Sequence, residues 1–529
     1  MSASLKILIT DQVDERCCGI LQSEGFAVEY KPGLPAEEIR KSIAGASALI
    51  VRSQTTVDAA ILEAGKMLKV VGRAGAGVDN IDVDAATRLG VIVMNTPGGN
   101  TISTAEHTIS MMMAMARNIP QADMSLRQGK WERKKFTGTE LHGKTIGIVG
   151  LGKVGLEVGK RCLAFEMTVI AYDPVLSPEI ASKYGIELVE LAEVFRRSDF
   201  ITLHSPLTDE TRNILNSASL AKCKRGVRII NCARGGIVDE KALLAALNEG
   251  SVAGAALDVF EEEPPKNSPL VQHPHVVATP HLGASTEEAQ EKVAIQIAHQ
   301  VADLLHDRGI AGSVNADTIR LAQKKELRPY MLLAEKMGSL LGQLKKGKLQ
   351  GISVSATGKI LEESISAVGA AVLKGAIEKT VFEPVNYLSA PLVARERGIK
   401  ADFRVRESHS VYAQMITVQY TTDKESNTLS GTIFGTDDER IVEMNGFFVE
   451  VKPEGWLLFY SNIDRPGMVA GVSGILANGQ INIARLSLGR FGIGKGALTV
   501  VSTDSPIPEA ILKQISALPG VEDVRSAIL

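Results

Sequence analysis

Five cysteines in 529 residues (Cys17, Cys18, Cys162, Cys223 and Cys232) are few, odd in number and free of any C-x-x-C spacing. That argues against a disulfide framework or a thiolate metal site, and no metal is expected. A reducing compartment, the cytoplasm, fits better, with each cysteine a small buried hydrophobe. Neither sign of charge dominates: Lys plus Arg number 58 and Asp plus Glu 61, for a net charge of −3. The balance speaks against a general nucleic-acid binder and against an anionic membrane surface, so any basic site must be local. Apolar runs are short and interrupted by charges, so no membrane span is expected. A strand pattern begins at Leu5, which leaves no room for a signal or transit peptide. Internal repeats and low-complexity tracts are missing as well. What remains is a composition of 45% hydrophobic and 22% charged residues, suited to several independent cores. The length allows roughly three or four domains.

The stretch Thr145 to Asp173 carries the strongest pattern. Ile146, Ile148 and Val149 suit a strand buried on both faces. Gly150, Gly152 and Gly155 then fit G-x-G-x-x-G where that strand turns into a helix. The first glycine permits the turn, the second admits a pyrophosphate, and the third lets helix and strand pack closely. Amides at the helix start form the anion site. A second strand ends at Asp173, 18 positions after Gly155. An acid there binds the adenosine ribose hydroxyls and disfavours a 2′-phosphate, so NAD is the expected cofactor.

Around this unit the chain divides into four. Up to about residue 97, strand and helix patterns alternate, implying a small parallel sheet with helices on both faces. Two strand ends there carry ligand-type groups: Arg52-Ser53, and Arg73 followed by Gly75, Gly77, Asp79 and Asn80. Arginines grip carboxylate or phosphate two-pronged, and glycine turns direct amides at anions, so an acidic ligand is favoured over solvated charge. Residues 98–284 form a second, six- or seven-stranded doubly wound sheet, entered by a long Met- and Ala-rich helix from Ser103. Within it, the cluster Trp131, Arg133, Lys134 and Lys135 reads as solvated surface, an anion site or a subunit contact. A helix from Thr286 to Leu305 leaves this domain and returns to pack on the first, so that 285–315 completes the substrate-binding domain, with a cleft between the two. Residues 316–453 alternate β-like segments with loops. His409 with Arg395, Arg397, Arg404 and Arg406 could bind an anion there, although solvated charges are the simpler reading. Residues 454–529 read β-α-β-β-α-β, the ferredoxin-like plan.

Three groups follow successive elements of the second domain: Arg234 in NCARGGIVDE, Glu263 in LDVFEEEPP and His281 in TPHLGAS. Oxidising a 2-hydroxy acid with NAD needs a base for the hydroxyl proton, a carboxylate to hold that base, and a cation for the substrate's carboxylate. Histidine is the natural base, with an ordinary pKa of about 6.5. Taken singly, His281 is as well explained as a structural histidine and Glu263 as a surface acid. Spacing alone does not make the three converge.

The motifs GRAGAGVDN (Gly72–Asn80), MNTPGGN (Met94–Asn100), WERKKFTGTEL (Trp131–Leu141) and GIVGLGKVG (Gly147–Gly155) are joined by NCARGGIVDE, ALDVFEEEPP and PHLGAST. Over roughly the first 310 residues, in order and spacing, they resemble the D-isomer-specific 2-hydroxyacid dehydrogenases. Within that family the chain is most similar to the long form that oxidises 3-phospho-D-glycerate to 3-phosphohydroxypyruvate at the start of the phosphorylated serine pathway. SNIDRPGMVAGVSGILANGQINI (Ser461–Ile483) resembles the start of an ACT domain, a small-molecule sensor. The resemblance implies a flavodoxin-like substrate domain, a Rossmann NAD domain, an intervening domain and the ACT domain. It implies that Arg234, Glu263 and His281 are catalytic, with His281 taking the C2 hydroxyl proton. NAD contacts carried over are Gly150, Gly152, Lys153, Val154, Gly155, Asp173, Ser205, Cys232, Ala233, Asp258, Gly283 and Ala284. Substrate contacts are Arg52, Ser53, Arg73, Gly75, Asn100 and Arg133, the last reaching a neighbouring subunit's site. L-serine would be the effector, held between subunits by Asn462, Asp464 and Asn482 in a homotetramer. Position 462 departs from the family, where it varies, and the middle segment matches only loosely.

Two other readings stay open on the residues alone. A glyoxylate or hydroxypyruvate reductase of the same class would share the catalytic set, but the arginines and the sensor domain argue for a phosphorylated substrate and feedback control. A dinucleotide-sensing corepressor-like protein would share the fold, but lacks a reason for the ACT-like segment.

Overall fold

A computed structural model describes residues 5–316, 319, 321, 324–378, 385–406 and 411–529, so His409 lies outside the described residues. Strands β1 (Lys6–Ile9), β2 (Ala27–Tyr30), β3 (Ala48–Val51), β4 (Val70–Arg73) and β5 (Ile92–Met94) form a parallel sheet in the order β2-β1-β3-β4-β5. This is the flavodoxin-like order. Burial explains the composition: β3 is Ala-Leu-Ile-Val, covered on both faces, as an interior parallel strand must be. The helix Glu287–Leu305, started by Thr286 accepting from the Ala289 amide, returns to this sheet. Its Val293, Ile297 and Val301 share a core with Ile7, Ile50, Val70 and Met94.

The second sheet holds β6 (Thr145–Val149), β7 (Thr168–Tyr172), β8 (Glu187–Leu188), β9 (Phe200–Leu203), β10 (Val227–Asn231), β11 (Val252–Leu257) and β12 (Val276–Ala278). All seven are parallel, in the order β12-β11-β10-β9-β6-β7-β8. Chain order reverses between β6 and β9, and ligands of such sheets sit beyond the strand ends at that point. In the first sheet the reversal falls between β1 and β3. The helix Thr101–Ala116 carries the chain from one sheet to the other and packs Met111, Met112 and Met115 into the second core.

Two further sheets follow. Strands Leu349–Thr357, Lys400–Val405, Met415–Thr422, Ser426–Phe434, Asp438–Met444 and Phe447–Val451 make a six-stranded sheet, antiparallel except where Lys400–Val405 joins Leu349–Thr357. Helices Arg328–Leu344 and Ile365–Ile377 cover it. The last sheet is antiparallel and four-stranded, built from Trp456–Ile463, Ile483–Arg490, Gly496–Thr503 and Val521–Ile528 with two helices, on the ferredoxin-like plan. Its Leu457, Phe459, Leu498 and Val500 lie in one continuous core with Leu341, Val418 and Tyr420 of the sheet before it. Arg525 of the last strand grips Glu425 with both guanidinium nitrogens, at 3.0 and 2.8 Å. The two C-terminal sheets are therefore packed as one unit.

The fold class read from the sequence holds throughout. Among the elements not legible were helices Ile119–Arg127 and Ile365–Ile377, and strands Lys400–Val405 and Asp438–Met444. Ile365–Ile377 is buried along most of its surface, from Ala367 to Leu373 without a break, and a period hardly shows without a broad polar face. The two strands are rich in charged residues and are specified by their partners rather than by their own pattern. All five cysteines are free thiols. Among the described residues, no helix is long and apolar enough to cross a membrane, and no group of three or more His, Cys, Asp or Glu could hold a metal ion.

Candidate active site

The glycine turn has the local geometry that its spacing implies. Gly150 has φ 92, and a side chain on it would strike the backbone of His204 and Ser205. Gly152 faces open space, and a methyl on Gly155 would meet the Gly150 carbonyl. A phosphate can thus reach the backbone at Gly152, at the start of the helix Lys153–Ala164. Asp173, at the end of β7, accepts from the Leu151 amide at 2.9 Å and from the amides of Val175 and Leu176. Its carboxylate ties the glycine turn to the next strand.

Between the two parallel sheets lie two adjoining cavities. One, of about 400 Å³, is lined by Arg52, Ser53, Arg73, Gly75, Asn100, Arg234, Glu263, His281 and Ala284, among others. The other, of about 340 Å³, is lined by Val154, Ser205, Cys232 and Ala233 and shares Asp79, Asn100 and Arg234 with the first. The hydroxyl of Ser205 is buried there without a protein partner, which suits a bound polar ligand. Together with the glycine cradle, this orphaned donor fits a dinucleotide.

The structure brings Arg234, Glu263 and His281 to one cavity. His281 Nδ1 lies 2.8 Å from Glu263 Oε2, while Glu263 Oε1 accepts from the Phe260 amide at 3.1 Å. A carboxylate only accepts, so Nδ1 carries hydrogen and Nε2 is the ring nitrogen left for a substrate. Burial alone pushes the Glu263 carboxyl up, but the hydrogen bond and charge of His281 outweigh it and hold it below the ordinary value. His281 sits at φ 56, a left-handed conformation that a bulky residue keeps only under constraint. The constraint is Asp258, which is fully buried. Its carbonyl accepts from His281 N at 2.9 Å, and its carboxylate accepts from Leu282 N at 2.7 Å and Gly283 N at 2.8 Å.

A second buried acid does the same for the substrate side. Asp11, 1% exposed at the end of β1, accepts from the amides of Arg52, Gln54 and Thr55. Asn80 completes the loop, donating to the carbonyls of Arg52 and Thr55 and accepting from Arg73 Nε at 2.8 Å. Burial pulls the Arg73 guanidinium down to about 10, with Arg234 adding to the effect; it stays charged at neutral pH. Arg234 reaches across the cleft, its Nε donating to Asp79 at 2.9 Å. Asp11 was not singled out from the sequence, and Asp79 and Asn80 were named there only as part of a strand end, without a role of their own. A carboxylate straight after a buried strand (Asp11) was the available signal.

Not every expected residue enters the cleft. Arg133 lies in the exposed single turn Arg133–Phe136 and does not line either cavity of its own chain. Lys153 extends toward the Pro97 carbonyl, 3.5 Å away. In the last domain Asn462 is buried and donates to the Ile463 carbonyl, Asp464 accepts from Arg490 at 3.0 Å, and Asn482 donates to Asp504 at 2.6 Å. Register separates them. Ile483 pairs with Thr503, whereas Asn462 pairs with Ala497. Asn482 therefore lies at the opposite end of the sheet from Asn462 and Asp464, roughly 20 Å away at 3.3 Å per residue. One chain does not bring the three together.

Residues 109–283 match the family described as D-isomer specific 2-hydroxyacid dehydrogenase, NAD binding domain. Residues 326–445 match the D-3-phosphoglycerate dehydrogenase intervening domain, and 456–520 the ACT domain. The D-3-phosphoglycerate dehydrogenase of Methanocaldococcus jannaschii is 42% identical over 521 residues, covering 98% of this chain and 99% of that one. That of Bacillus subtilis is 43% identical over 521 residues, with the same coverage. Among solved structures, a glyoxylate reductase from Paecilomyes thermophila superposes with a TM-score of 0.54 at 31% identity, covering 59% of this chain and 98% of that one.

Proposed function

Because the chain belongs to the D-3-phosphoglycerate dehydrogenases, NAD-binding members of the 2-hydroxyacid dehydrogenase family, we propose a residue-by-residue assignment of its chemistry. It is an NAD-dependent oxidoreductase of serine biosynthesis with an ACT regulatory domain. NAD, when bound, supplies the hydride acceptor. Gly150, Gly152, Lys153, Val154 and Gly155 hold its pyrophosphate, Asp173 its ribose, and Ser205, Cys232, Ala233, Gly283 and Ala284 its nicotinamide half. Asp258 serves that half through the loop it holds.

His281 takes the proton of the substrate's C2 hydroxyl on Nε2 as the C2 hydrogen departs as hydride, leaving a carbonyl. Glu263 orients the ring and stabilises the imidazolium that forms. Arg234 pairs with the substrate carboxylate, and Arg52, Ser53, Arg73, Gly75 and Asn100 receive the remainder, including its phosphate. Two domains closing on this cleft exclude water around the reacting atoms. The observation that carries the assignment is the 2.8 Å His281–Glu263 pair facing Arg234 and Arg73 in one cavity.

Oligomerisation completes the assignment. Trp131, Met124, Leu126 and Ile119 are apolar and exposed, Trp131 by 77%, on the segment that carries Arg133. A second copy covering them, with Arg133 reaching its cleft, fits a homotetramer in the cytoplasm. The separation of Asn482 from Asn462 and Asp464 fits an L-serine site shared between two chains. The test is steady-state NAD reduction with 3-phosphoglycerate and, in reverse, NADH oxidation with hydroxypyruvate and glyoxylate, each with and without L-serine. The assignment expects the phosphorylated substrate to be strongly preferred, serine to inhibit, and His281→Ala to stop turnover with NADH binding intact. Preference for glyoxylate, or a His281→Ala enzyme that turns over normally, refutes it.

A further inference from the structure

The helix Thr101–Ala116 grips the loop that presents His281 through one face. Ser103 Oγ and Thr104 Oγ1 donate to the Gly283 carbonyl at 2.8 and 3.1 Å. One turn on, His107 Nε2 lies 3.1 Å from Asp258 Oδ1 and 3.2 Å from Thr279 Oγ1. Thr279 spends its hydroxyl hydrogen on Asp258 Oδ1, at 2.6 Å. Both neighbours of Nε2 are thereby acceptors, so Nε2 carries the hydrogen and presents it to the Thr279 hydroxyl beside a carboxylate that water does not reach. A buried carboxylate is costly unless its oxygens are paired or hydrogen-bonded. The same carboxylate holds the amides of Leu282 and Gly283, and the Asp258 carbonyl holds that of His281.

We propose that His107 is a positioning residue for the dehydrogenation. Acting through Asp258, it keeps the 279–283 loop in the left-handed conformation that places His281 against Glu263. His107 lines neither cavity, so its influence on the reaction runs through Asp258 and Thr279. The helix it belongs to begins beside Asn100, which lines both cavities, and follows one of the two crossings between the domains. The inference rests on the reading of His281 as that base.

The test compares His107→Phe, His107→Gln and His107→Asn in the full-length enzyme. Phe keeps the ring volume and removes the donor. Gln carries an amide nitrogen at about the reach of Nε2, while Asn is too short. The expected result for Phe and Asn is a kcat lowered about 10- to 100-fold, the scale of a small misplacement of a catalytic group. NADH affinity by fluorescence titration should stay within about twofold, and Gln should recover most of the kcat. Unchanged kcat in the Phe variant overturns the proposal, as does a Gln variant no better than Asn, or NADH affinity falling in step with kcat. If Phe does not fold, the Gln–Asn comparison decides. A His281→Ala enzyme with normal turnover would instead overturn the underlying assignment of the base, a separate result.

Discussion

Glu263→Gln keeps the size of the side chain beside His281 and removes its charge. In the native cleft the carboxylate holds the imidazole at 2.8 Å and is itself fixed by the Phe260 amide at 3.1 Å. A hydrogen bond to a charged group contributes about 1.5–3 kcal/mol. If all of it were gained as the imidazolium forms, kcat for the forward reaction would fall roughly 10- to 150-fold at about 1.4 kcal/mol per decade. The two side chains are 45% and 37% exposed, so solvent screens part of the charge. The lower end, about 10- to 30-fold, is the working figure. Gln still supplies an oxygen to the ring N–H, so KM and NADH affinity should hardly change. With the anion gone the imidazolium formed during the reaction loses its support, so the loss falls on kcat. In the parent the Glu263 carboxyl is held below its ordinary value, so the pair keeps its charge until the medium is more acidic than an unpaired glutamate would need. Steady-state rates between pH 5 and 10 provide the assay. A kcat within twofold of the parent across that range would refute the role given to Glu263.

Asp173→Ala should act on the cofactor in two ways. Losing the anion relaxes rejection of a 2′-phosphate, so the ratio of kcat/KM for NADP to that for NAD should rise at least about tenfold, or 1.4 kcal/mol. Losing the acceptor for Leu151 N loosens the glycine turn, so KM for NAD should rise too; an unchanged ratio counts against the ribose role. Glu425→Gln tests the clasp between the two C-terminal domains by acid unfolding. Burial alone would raise the Glu425 carboxyl, but Arg525 and the Lys346 amide hold it down to about 2. A folded pKa below the unfolded one stabilises fully above pH of about 4.3 and is lost as pH falls toward 2. The variant should therefore be less stable at neutral pH and show a flatter loss of stability in that window, measured by circular dichroism. Equal stability profiles would show that the clasp contributes nothing.

The amino-acid sequence by itself determined the class of each domain and the identity of the chemical groups. Buried parallel strands such as Ala48–Val51 must be apolar along their whole length, and a pyrophosphate turn must be glycine at Gly150, Gly152 and Gly155. Local sterics impose both, so both are legible without coordinates. Elements that owe their form to neighbours were not: Ile365–Ile377 shows little period because most of its side chains are buried, and Lys400–Val405 is a strand because Leu349–Thr357 lies alongside. The site divides in the same way. Arg234, Glu263 and His281 were nameable as the right chemistry, while their meeting in one cavity was decided by three separate strand ends of the second sheet. Only the tertiary structure showed what holds them. Asp11 and Asp258 are buried acids that hold loops through backbone amides, and amides leave no trace in a sequence. His107 joins Asp258 from a helix some 150 positions earlier in the chain. The same holds at the far end, where strand register sends Asn482 away from Asn462 and Asp464. Residue type sets what a side chain can do, and long-range packing sets which groups it does it with.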